Sequence, residues 1–150
     1  MKCVKKLAAV ILTAVMALSL LTACGGGGWS GTSNADVGRR LTSKINSKLS
    51  DTGISLTYSD TLTNQIITFG QLLQDGVDES TAMVRAGING NDYEVVTVEI
   101  NKDGSMEDAA GPLAIQIAAL KNSWGTAKQI GYASAESIRN TRFIFALVRK

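Results

Sequence analysis

The chain has 150 residues, with 15 lysines and arginines against 13 aspartates and glutamates, two cysteines and no histidine. The lack of histidine excludes the usual general base and the commonest neutral metal ligand, and no basic block offers a surface for nucleic acid. The length suits one domain with its own core.

Lys2, Lys5 and Lys6 open the chain, Leu7 to Leu20 is almost wholly apolar, and Leu21-Thr22-Ala23 sets a small residue before Cys24. Charge, apolar run and small residue in that order are the pattern of a secretory signal. Leu7 to Ala23 is short for a spanning helix, which needs about 20 apolar residues, and no charged stop follows it. Leu21-Thr22-Ala23-Cys24 resembles the lipobox of bacterial lipoproteins. The resemblance implies cleavage before Cys24, a diacylglyceryl group on its sulfur, and a lipid-anchored place on the extracytoplasmic face of the cell membrane. Acyl chains hold such a protein by burying methylenes worth ~0.8 kcal/mol each. A soluble secreted product and an uncleaved signal anchor are the alternatives.

The expected division is a signal peptide over 1–23, a lipidated Cys24 with a Gly/Ser-rich tether over 24–35, and one folded domain over 36–150. Gly25 to Gly28, continued by Trp29 to Asn34, reads as a flexible tether. Cleavage removes three of the 15 basic residues, so 12 face 13 acidic ones and the mature chain is near neutral. It also removes Cys3, so a lipidated Cys24 leaves no thiol for a disulfide or a nucleophile.

In the folded part, Val37, Leu41, Ile45 and Leu49 recur every four residues from Asp36 to Ser50, which predicts an amphipathic helix ended by Asp51-Thr52-Gly53. Ile54 to Tyr58 reads as extended. Ser59 or Asp60 caps a second helix with the stripe Leu62, Ile66, Phe69, Leu72 and Leu73, stopped by Gly76. Its other face (Thr63, Asn64, Thr68, Gln71) is polar without charge, as on a partly covered surface. Thr81 to Ile88 and Tyr93 to Ile100 flank Asn89-Gly90-Asn91-Asp92, which predicts a hairpin. In the second of these strands Glu94, Val96, Val98 and Ile100 share one face, and Tyr93, Val95, Thr97 and Glu99 the other. Ser105 and Asp108 have capping-box spacing. A main helix is expected over about 112–121, since Pro112 suits a first turn. Gln129 to Ala133 and Arg142 to Arg149 close the chain as strands around the polar 137–141 connection. Phe143 to Val148 does not alternate, so that strand must be covered on both faces. The expected fold is α+β, a sheet with helices on both sides.

Several stretches in this order resemble the CAP superfamily (cysteine-rich secretory proteins, antigen 5 and pathogenesis-related 1; SCP-like). They are INSKLSDTGISLTYSDTLTNQIITFGQLL at 45–73, VEIN at 98–101, NSWGT at 122–126 and IGYASAESIRNTRFIFALV at 130–148. The resemblance implies a three-layer α-β-α sandwich with a mostly antiparallel sheet. Family members carry histidines and acidic residues around a central cleft, often with a divalent metal. The two histidine positions fall at or beside Phe69 and on Thr126 here, and Glu99 is the one acidic position carried over. The implied domain is a degenerate member that has lost the metal site and needs no cofactor. Trp124 and Tyr132 stand near the stretch resembling a cleft wall, as ligand-stacking or core residues.

No Gly-x-Ser-x-Gly elbow or phosphate loop occurs. Glu99, Asn101, Asp103, Gly104 and Glu107 mimic part of a calcium loop, but Ala110 replaces the closing acid, so a turn into a capped helix is the favoured reading. The function expected from the sequence is a membrane-anchored lipoprotein with a non-catalytic domain that binds a small-molecule or protein ligand. The alternative is a cell-surface hydrolase or metal-dependent enzyme built on a carboxylate-centred cleft.

Overall fold

The computed structural model describes residues 30–31, 35–136 and 139–150. The expected signal peptide, the Cys24 lipidation site and most of the expected tether lie outside the described residues. Strand β1 (Ser30–Gly31) is followed by helix α1 (Ala35–Lys48), a 3-10 turn (Ser50–Thr52), strand β2 (Thr57–Tyr58), helix α2 (Asp60–Gln74) and helix α3 (Glu79–Arg85). Strand β3 (Tyr93–Asn101), a 3-10 turn (Met106–Ala109), helix α4 (Ala110–Ser123), and strands β4 (Gln129–Glu136) and β5 (Thr141–Arg149) complete the order. The chain is α+β.

Helices α1 and α2 form where the apolar spacing predicts. Leu41, Ile45 and Leu49 are fully or almost fully buried, as are Leu62, Ile66 and Phe69. Ser59 caps α2 by accepting from the Leu62 N–H. Of the four polar residues expected on its other face, Thr63 is covered; Asn64, Thr68 and Gln71 are exposed. The Ser105–Asp108 capping box is present and leads through the 3-10 turn into α4, with Pro112 in its first turn. The calcium-loop mimic is therefore a turn, closed by the Gly104 N–H donating to the Asn101 carbonyl at 3.0 Å.

One expected element is overturned. Thr81 to Ile88 is no strand: Glu79–Arg85 is helical, capped by the Asp78 carboxylate accepting from the Thr81 N–H at 3.0 Å. Gly76 and Gly87, at φ of 81° and 74°, follow the ends of α2 and α3. Ala82 and Ala86, buried four residues apart, have a helical spacing that the β-branched residues masked. Asn89 to Asp92 joins α3 to β3, with the Asn89 carbonyl accepting from the Asp92 and Tyr93 N–H groups. The partner of β3 is β5, antiparallel from Tyr93 opposite Arg149 to Asn101 opposite Thr141.

In the sheet, β5 lies between β3 and β4, and the far side of β4 is shared by two short strands. β1 pairs antiparallel with Ala133 and Ser134, and β2 pairs parallel with Gln129 and Ile130. Between them α2 begins directly against β4. A Cβ on Gly131 would collide with the Thr63 nitrogen, and Thr63 Oγ1 accepts from the Tyr132 backbone N–H at 3.2 Å. Asn46 holds the approach to β2: its Nδ2 donates to the Leu56 carbonyl and its Oδ1 accepts from the Leu56 N–H, both at 2.8 Å.

Helices cover both faces of the sheet. Val96, Val98, Ile144, Ala146, Val148, Ile130 and Tyr132 pack under α1 and α4. Val95, Phe145, Leu147, Ala133 and Ala135 pack under α2 and α3. This double cover explains the unbroken apolar run of β5.

Candidate functional site

The turn after β3 and the start of α4 meet α1 at one end of the sheet, and the surface there is grooved on both sides of Asp108. On one side Glu99, Ile100, Asn101, Asp108 and Thr141 line an open depression of about 530 Å3. On the other, Lys44, Ser47, Lys48, Glu107, Asp108 and Gly111 line a second of about 490 Å3. The wall between them is the Ser105–Asp108 capping box, whose Asp108 Oδ2 accepts from the Ser105 N–H at 3.1 Å.

Each carboxylate of this groove is already engaged. Thr141 Oγ1 donates to Glu99 Oε1 at 2.5 Å. Glu107 pairs with Arg40 at 3.2 Å and Lys44 at 3.6 Å, and both cations are well exposed, so these bridges add little stability. The result is a shallow polar surface carrying both signs of charge. Among the described residues, no group of three or more histidine, cysteine, aspartate or glutamate side chains could hold a metal ion.

The residues proposed from sequence for a common cleft are not brought together. Phe69 is buried in the core under α2 and α3, while Trp124 and Tyr132 belong to the core on the opposite face of the sheet. Glu99 alone of the five opens on the groove. Thr126 is half-buried beside Ala127, at the strand end where Tyr93, Arg149 and Gln129 align. Glu99 lies six residues along β3 from Tyr93, about 20 Å at ~3.3 Å per residue.

Tyr132 has a structural task. Its ring stacks on Tyr58 at 6.2 Å between centroids, and its hydroxyl lies 2.7 Å from Thr42 Oγ1. Thr42 already donates its only hydroxyl proton to the Gly38 carbonyl at 2.8 Å, so Tyr132 is the donor. Burial raises the Tyr132 hydroxyl above the ordinary tyrosine range. Trp124 is 9% exposed, with the Lys150 ammonium 4.9 Å from the centre of its ring.

Sequence reasoning missed the lysine side of the groove, because Lys44 and Lys48 read as the solvated face of an amphipathic helix. It also passed over Glu94, which is 5% exposed and whose carboxyl burial pushes up to about 7. The signal was available: an acid in phase with Val96, Val98 and Ile100 on a strand whose apolar face must be covered. Among the described residues, no helix is long and apolar enough to cross a membrane. Compared with protein-family models, with curated proteins and with solved structures, the chain matches none.

Proposed function

We propose that the chain is a bacterial lipoprotein, anchored by Cys24 to the extracytoplasmic face of the membrane, whose folded domain is a binding or interaction module without catalysis. The observation that carries the module reading is the groove around Asp108. Glu99, Asp108 and Glu107 are each committed to a neighbour, and the surface between them is open. Such a surface fits a polar partner of mixed charge, whereas an acid–base catalyst needs a group free to move a proton in an enclosed site.

The anchor rests on Leu21-Thr22-Ala23-Cys24 following an apolar stretch. A CAP-like scaffold is part of the same proposal. It leans on the order of the elements and the helices on both faces of the sheet, and it draws nothing from the cleft residues, which stand apart.

Two measurements test the reading. Intact mass and membrane fractionation of wild type and Cys24→Ala are expected to show an acylated, membrane-bound product and an unacylated, released one; equal masses and equal partition remove the anchor. A photo-crosslinking residue at Ser47, in the groove, is expected to give a discrete adduct in cells, and the same residue at exposed Ile115 none. No adduct at Ser47 removes the groove as the binding surface.

A further inference from the structure

We infer that the short tether fixes how the domain stands on the bilayer: the sheet end carrying Asn101–Gly104 and Arg139–Thr141 faces the lipid, and the Gly125–Lys128 loop faces away. This rests on the lipid anchor proposed above. β1 runs antiparallel to β4, with Ser30 opposite Ser134 and Gly31 opposite Ala133, so the chain enters β1 from the Glu136 end of β4. In register with that end are Arg142 and Thr141 of β5 and Asn101 of β3. The opposite end aligns Gln129, Arg149 and Tyr93.

The reach of the tether decides between the two poses. Ser30 lies six residues on from Cys24, a stretch that fully extended spans at most about 22 Å. A glycine-rich chain of that length has a root-mean-square span of roughly 14 Å. The Glu136 end is two residues from Ser134, about 7 Å at the strand rise. The Gln129 end is five residues the other way, about 17 Å, so the inverted pose stretches the tether past its root-mean-square span, and the entropic cost of that stretch favours the first pose. Charge does not supply the preference. Lys102, Arg139 and Arg142 at this end are balanced by Glu99, Asp103 and Glu136, with Lys102 bridged to Glu136 at 3.7 Å, so anionic lipid gives little net pull. The pose brings the groove around Asp108, which begins at Glu99 and Asn101, within reach of the bilayer surface.

The test uses the acylated protein in vesicles carrying a headgroup-attached quencher. Maturation leaves Cys24 blocked by lipid, so a single introduced cysteine takes the fluorophore. Asp103→Cys and Lys128→Cys, both at exposed positions, mark the two ends. The label at 103 is expected to lose most of its emission and the label at 128 to keep most of it. Equal or reversed quenching on vesicle-bound protein overturns the pose while leaving the anchor intact. Protein that fails to bind vesicles overturns the anchor and the pose with it. Inserting a long Gly/Ser segment after Gly28 is expected to abolish the difference, and a difference that persists removes the tether as its cause.

Discussion

Two positions show at the residue scale how little freedom the interior leaves. Gly131 admits the first turn of α2 against β4, so Gly131→Ala drives a methyl group into the Leu62–Thr63 backbone. Overpacking of this kind costs typically ~1–3 kcal/mol or more, and here the obstacle is main chain, which cannot rotate away. Urea unfolding is expected to show a lower midpoint for Gly131→Ala than for Ala133→Gly, which merely removes a methyl. Tyr132→Phe deletes one buried donor and leaves Thr42 still bonded to Gly38, so a loss of about 1 kcal/mol is expected. Glu94 sets a pH dependence. Its carboxyl rises from 4.5 to about 7 in the fold, so the native state holds the proton more tightly than the unfolded chain. The contribution of Glu94 to stability is then greatest below pH 4.5, falls as pH rises to about 7 and levels off above, a total of the order of 3 kcal/mol. Glu94→Gln is expected to flatten that slope and to be more stable than wild type at pH 8, as read by denaturant unfolding across the range.

Elements were legible wherever local chemistry and burial agreed. The four-residue stripes run along α1 and α2, and the Ser59 cap and the Ser105–Asp108 box sit at the starts of the elements they predict. The double cover of β5 was readable from its lack of alternation. Where the two signals conflicted, the reading failed: Thr81 and Val84 favour a strand, but Asp78 and Gly87 bracket a helix over Glu79–Arg85. Asp78→Ala is therefore expected to unravel α3 selectively, seen as faster amide exchange at Thr81 and Ala82 with the β3–β5 ladder unchanged. The Asp78 carboxyl is held down to about 2 by the Thr81 and Ser80 donors, so this cap persists above the ordinary carboxylate range and is lost only as pH falls toward 2. The grouping of residues into sites was not legible, since the sheet that separates Phe69 from Tyr132 is formed by pairings distant in sequence. The groove was illegible for the same reason: Lys44 lies far from Glu99 and Glu107 in the chain and comes beside the α4 entry only when α1 packs there.

For the molecule as a whole, the two sides of the sheet are unequal. β3 is the outer strand on one side, with its Thr97 carbonyl accepting from Gln116 Nε2 at 3.1 Å. On the other side β1, the start of α2 and β2 together occupy the length of β4. Linear growth by adding strand to strand needs a free margin on both flanks of every copy, and this body has one blocked by its own helix. Two copies that join through β3 consume the open margin of each and present only blocked ones. Association by that route stops at a pair and cannot propagate into a fibre.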